Sequence, residues 1–414
     1  MNWKPLVASV TFALMAPVMV SGVTNVGVAL AAKDTISQKL AKPLTEAQGA
    51  INSKDWDGAL AALATAKKVE KRSPYENFMI ANFEYNAYVG KKQLPQAAKA
   101  AQAMIDSGYA SPEQVNSMRK AILQIHTNTN NFSAMVDAGQ AYLKANPNDL
   151  DVMGQIAFAQ YKLKQCDAAS KTIKQATDAA KASGKAPKET WYQLELTCAV
   201  EAQDNAGAVK ALENLVRYFP SDDYWNRLLE QQQGAAGGNT DLNIEVYRLK
   251  EQTGTMKTAA DYIEWAELTQ LLQPRLPGEG KRVIDEGFEK GILGGDKQGT
   301  DKKHDRMKTL TTTEAAKDLA TIAELEPAAK AAPNGDPDAA LGDTYASHGQ
   351  YDKAIEAYER ALKKGVKNSA QVQLHLGQAY VKTGNKASAT NAFKAVKGDA
   401  AYERLAQLWL LAMR

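Results

Sequence analysis

Four histidines, two cysteines and 47 carboxylates are the groups of this chain that could react or hold a metal. His126, His304, His348 and His375 lie far apart, and no two of them keep the i, i+4 spacing that puts two imidazoles on one helix face for zinc. Cys166 and Cys198 have no histidine nearby to complete a tetrahedral shell. They read either as a disulfide or as two buried thiols acting as small hydrophobes. The stretch GEGKR, Gly278 to Arg282, resembles the end of a phosphate loop, but the earlier glycine of such a loop would fall on Arg275 and neither Ser nor Thr follows Lys281. A helix start is the better reading. No G-x-S-x-G offers a serine nucleophile. Acid pairs such as Asp222 with Asp223, or Glu324 with Glu326, are solvated helix surface unless a cleft shifts their environments. The expectation is a protein that is not an enzyme, with no catalytic residue, no metal and no cofactor.

The elements that carry these residues must be many, because 414 residues exceed one compact core. The net charge of +3 is spread along the length without a basic cluster, so nucleic acid is not an expected partner. The N-terminus opens MNWK and continues uncharged from Pro5 to Ala32, with Ala29-Leu30-Ala31 fitting the signal-peptidase pattern. Residues 1–31 are therefore expected to be a cleaved signal peptide, leaving no membrane span and a periplasmic or secreted mature chain. An uncleaved anchor is the alternative, weakened by Pro17, Ser21, Gly22, Thr24 and Asn25. Export into an oxidising compartment favours a Cys166–Cys198 bridge.

A period runs along the chain. Gly342, Tyr345, Gly349, Ala354, Tyr358 and Ala361 return thirty-five places later as Gly377, Tyr380, Gly384, Ala389, Phe393 and Val396. Each unit reads as two amphipathic helices, with small residues where axes approach and a glycine at the reversal. Neither helix can bury its apolar stripe alone, so each hairpin must stack on the next. The cadence continues upstream, with the close-packed residue at Ala59, Ala97, Met135, Ala169 and Ala208. The middle is less regular: GAAGGNT, Gly234 to Thr240, reads as a flexible loop, and Met307 to Ala332 reads as helix.

Glycine, tyrosine three places on, alanine at twelve, an aromatic at sixteen and a small residue at nineteen resemble the tetratricopeptide repeat. The implied fold is all-α, a right-handed solenoid of stacked helical hairpins. The expected organisation is degenerate repeats over 32–233, irregular helical repeats over 240–331, two well-formed repeats over 336–398 and a capping helix over 399–414. The order of motifs, including YFPSDDYWNRLL and GEGKRVIDEGFEKGILG, also resembles uncharacterised exported repeat proteins of proteobacteria. The repeat resemblance implies a partner-binding groove at Ala339, Asp343 and Ala346 in one repeat and Leu374, Gln378 and Val381 in the next; ordinary solvent-facing helix is the alternative for the same positions. A clamp for a terminal carboxylate is disfavoured, because Ala339 and Asp343 stand where lysine and asparagine would be needed.

The function expected from this architecture is a non-catalytic scaffold binding peptide or helical segments of unidentified envelope proteins. The alternatives are an accessory that binds peptidoglycan or exported polysaccharide, and an enzyme whose site the sequence hides.

Overall fold

The computed structural model describes residues 35–272, 275–294 and 301–414; the expected signal, 1–31, lies outside them. The chain is all-α, a tetratricopeptide-like succession of stacked helical hairpins, with no strand among the described residues. It divides into two compact units that meet between Cys198 and Ala199.

The first unit contains α1 (Gln38–Asn52), α2 (Trp56–Lys67), α3 (Pro74–Gly90), α4 (Leu94–Asp106), α5 (Pro112–Asn128), α6 (Phe132–Leu143), α7 (Leu150–Lys162) and α8 (Cys166–Ala182), and α9 (Glu189–Glu201) carries the chain across the seam. Successive helices pair as antiparallel hairpins, α1 with α2 through α7 with α8. The starts of α3 and α5 are capping boxes: Ser73 and Ser111 cap, Pro74 and Pro112 pre-set the first turn, and Glu76 and Gln114 bond back to the cap nitrogens.

The hairpin reversals explain why the upstream repeats look degenerate. The second residue before the return helix is left-handed in each of these hairpins, at Lys54, Lys92, Asn130 and Lys164, then at Gly349 and Gly384, and Gln203 takes the same conformation two residues before the helix that begins at Asn205. Only Gly349 and Gly384 carry the glycine that this conformation favours, so the backbone repeat persists where the residue signature has gone. The close-packed residues behave alike, with Ala59, Ala97, Met135, Ala169, Ala208, Ala354 and Ala389 all buried.

Within the first unit, Cys166 at the start of α8 is disulfide-bonded to Cys198 in α9, with Cα atoms 5.4 Å apart. The bridge staples one hairpin to the next helix, and the alternative of two free thiols does not hold here.

The second unit contains α10 (Asn205–Tyr218), α11 (Asp222–Ala236), α12 (Thr240–Gln252), α13 (Ala259–Leu271), α14 (Pro277–Glu289), α15 (Asp301–Ala331), α16 (Asp336–Ser347), α17 (Tyr351–Lys364), α18 (Ser369–Lys382), α19 (Lys386–Ala395) and α20 (Ala400–Ala412). Two local expectations change. Gly234 to Ala236 belong to the last turn of α11, where Ala236 is buried, so the loop read as GAAGGNT shrinks to Gly237–Asn239. α15 starts at Asp301, six residues before Met307, and within this added stretch His304 is buried and its Nδ1 accepts the Gly294 N–H at 3.3 Å.

In the two best repeats the glycines are spacers for aromatic rings. A Cβ on Gly342 would lie 2.5 Å from the Tyr358 ring, and one on Gly377 would lie 2.5 Å from the Phe393 ring. α20 packs on α12, α18 and α19, with Trp409 nearly parallel to Phe393 at 5.6 Å between centroids.

Candidate binding site

In the second unit, long side chains of α12 reach α14 and α18. One edge of α12 carries Glu245, Arg248 and Glu251 at i, i+3 and i+6, a spacing that keeps three side chains within reach of one neighbouring surface. Arg248 makes a bidentate pair with Glu279 of α14, at 2.9 Å from Nε and 2.6 Å from Nη2, and its Nη1 reaches Glu245. Glu245 accepts His375 Nε2 of α18 at 3.0 Å and the side-chain amide of Gln378. Glu251 accepts Lys382 of α18 at 2.8 Å and is paired with Arg282 of α14. His375 Nδ1 bonds Asp343 of α16 at 2.6 Å, and the same oxygen takes the Tyr358 hydroxyl at 2.7 Å.

This is a charge cluster out of water. Glu245 and Glu279 are 2% and 5% exposed, and charges so placed persist only when paired and hydrogen-bonded. Burial alone would push the Glu245 carboxyl up, but Arg248 and His375 beside it hold it down at about 2. Burial would likewise lower the His375 imidazole, yet Asp343 and Glu245 on its two nitrogens lift it to about 10. His375 is thus an imidazolium at neutral pH with both N–H groups committed, and it has no lone pair to act as a general base. Burial and the Asp343 carboxylate drive the Tyr358 hydroxyl far above its ordinary value, so it stays a donor. The cluster holds α12 in place; it is not arranged for proton transfer.

The sequence-derived groove positions separate in this setting. Leu374 is fully buried in the core, and the Gln378 amide is engaged by Glu245. Ala346 borders a small cavity of about 50 Å³ beside Arg248 and Lys382, and Val381 is half-buried. Ala339 and Asp343 border a cleft of about 340 Å³ between the N-terminal ends of α12, α16 and α18. Sequence reasoning did not find Glu245, Arg248, Glu279 or the role of His375. The one signal was the spacing of Glu245, Arg248 and Glu251 in EVYRLKE, three charges at i, i+3 and i+6 on one helix.

Among the described residues no group of three or more His, Cys, Asp or Glu is placed to hold a metal, and no helix is long and apolar enough to cross a membrane. The tetratricopeptide repeat family model matches residues 342–384, the span from Gly342 to the reversal at Gly384. No curated protein matches the chain. Among solved structures, a chain in the structure of Naa15/Naa10 bound to HypK-THB is similar at 14% identity over 90% of this chain, with a TM-score of 0.37; this chain spans 66% of its length. A tetratricopeptide repeat protein from Parabacteroides merdae ATCC 43184 is similar at 10% identity over 82% of this chain and 100% of that one, with a TM-score of 0.28. The P58(IPK) TPR domain is similar at 11% identity over 90% and 98% of the two chains, with a TM-score of 0.24. At TM-scores below 0.5 these likenesses carry nothing about partner or activity.

Proposed function

We propose that this chain is a non-catalytic protein-binding scaffold of the cell envelope, exported by its N-terminal segment and engaging a protein segment at the inner cleft of its second unit. The observation that carries the reading is the repeat stack of residues 342–384 together with a ligand-sized cleft, about 340 Å³, opening beside Ala339 and Asp343. The one histidine at that cleft is a committed imidazolium, which favours binding over catalysis. Export is supported by the uncharged run from Pro5 to Ala32 and by the Cys166–Cys198 bridge, which suits an oxidising compartment.

The groove works differently from an open repeat surface. Side-chain pairs tie α12 to α14 and α18, and the ligand site is the cleft lined by the N-terminal parts of α12, α16 and α18. The test is in-cell cross-linking of the tagged full chain in its native host, followed by fractionation. A stoichiometric protein partner in the envelope fraction is the expected result. Retention on peptidoglycan with no protein partner, or a chain found only in the cytoplasm, would refute the reading.

A further inference from the structure

The cleft has a chemistry more definite than protein binding in general. Its walls include Ile244, Leu276, Val366 and Val372, and its mouth carries Asp241 in the first turn of α12 and Asp336 in the first turn of α16. Four carboxylates border it, those two with Glu245 and Asp343, against Arg248, Lys367 and His375. The cations are not equally available to a ligand. Arg248 is divided between Glu245 and Glu279, and His375 gives its two N–H groups to Asp343 and Glu245. Lys367 stands out in solvent, its side chain 91% exposed and 3.8 Å from Asp336.

The acceptors retain capacity. Asp343 spends one oxygen, Oδ1, on both Tyr358 and His375. Asp336 accepts the Lys367 backbone N–H through Oδ1 at 2.9 Å, and its Oδ2 makes only the long, solvent-exposed pair with Lys367 Nζ. Asp241 is exposed and spends neither oxygen on a hydrogen bond or ion pair among the described residues. A first-turn carboxylate also suits the positive end of its own helix, a role that leaves its oxygens free to accept from a ligand. An apolar wall under a mouth of underused carboxylates fits a long side chain with a methylene stem and a cationic head.

We infer that the cleft of the second unit receives an arginine or lysine side chain of the partner polypeptide, the stem against Ile244 and Val372 and the head between Asp241, Asp336 and Asp343. This deepens the scaffold reading above and rests on it. Arginine fits better than lysine, because a planar guanidinium can serve two carboxylates at once.

The experiment uses the full chain and a fluorescein-labelled Gly/Ser decapeptide with two central arginines, read by fluorescence anisotropy. Its counterpart replaces both arginines by citrulline, which keeps shape and removes charge. The arginine peptide should bind saturably, the citrulline peptide about tenfold more weakly, and Asp241→Asn/Asp336→Asn should abolish the difference. Both substitutions are at the rim, outside the buried cluster, and circular dichroism verifies that the variant folds. Equal affinity for the two peptides, no saturable binding, or an unchanged double variant would overturn the inference. If cross-linking recovers a partner whose binding ignores the double variant, the basic side-chain reading fails while the scaffold reading stands; if no partner is recovered, the scaffold reading itself fails.

Discussion

Gly342→Ala tests the packing of the best repeat with the smallest perturbation available. The added Cβ would sit 2.5 Å from Cε1 and 2.6 Å from Cδ1 of Tyr358, distances that real Cβ atoms do not show, so the ring must move. It has little room: Tyr358 is 1% exposed, and its hydroxyl is bonded to Asp343, which also holds His375. Overpacking of this kind costs about 1–3 kcal/mol, against a helix-propensity gain of up to about 1 kcal/mol for replacing an interior glycine by alanine. The net expectation is a loss of up to about 2 kcal/mol, larger for Gly342→Leu. Gly377→Ala, facing Phe393 at 2.5 Å, should behave alike. The control is Gly49→Ala in α1, where a Cβ meets nothing within 4 Å and only the propensity gain of about 0.5–1 kcal/mol applies. Urea unfolding followed by far-UV circular dichroism, with tryptophan fluorescence as a second probe, reads all four variants. If Gly342→Ala were as stabilising as Gly49→Ala, the ring would be free to yield and close approach would not be the reason for glycine at 342.

Three further outcomes follow from the inner cluster and the bridge. Because the folded value of His375, about 10, lies above its ordinary 6.5, its contribution to stability is complete below 6.5 and is lost as the pH rises through 10; Glu245, held at about 2, contributes above 4.5 and loses its contribution as the pH falls toward 2. A stability–pH series should show both limbs, and His375→Gln should flatten the alkaline one; an unchanged alkaline limb would refute the pairing. Arg248→Ala leaves Glu245 and Glu279 buried without their cation and should cost about 3–5 kcal/mol, measured by chemical denaturation; a loss below about 1 kcal/mol would mean the cluster behaves like a surface pair. Cys166→Ala/Cys198→Ala opens a loop with a sequence separation of 32 and should destabilise the first unit by about 3–4 kcal/mol in the chain-entropy account; no change in the first unit's hydrogen-exchange protection would count against that.

What the sequence disclosed is what repeats locally. Gly342 and Gly377 face the Tyr358 and Phe393 rings in the same way in the last two repeats, and buried small residues recur upstream, so these types can be aligned by eye. The left-handed reversals at Lys54, Lys92 and Lys164 were hidden, because a backbone conformation can persist while its favoured residue is replaced. The candidate site was legible only in part. Ala339 and Asp343, two of the groove positions the repeat resemblance implies, border the cleft, whereas the pairing of Glu245 with His375 and Gln378 joins residues from distant hairpins. No thirty-five-residue period encodes such a contact, since its partners lie 130 and 133 positions apart. Leu374, one of the groove positions the repeat resemblance implies, is fully buried.

Arrays in which each module touches only its neighbours fray from their ends and melt piecemeal. The second unit escapes that regime, since Glu245 and His375 are 130 residues apart and α12 also packs on the terminal helix α20. Opening the last hairpin strips counter-charges from a helix in the middle of the chain, so the tail cannot loosen without the centre. A long-separation tie of this kind makes the unit melt as one body and slows its assembly, because a large chain closure must precede the reward.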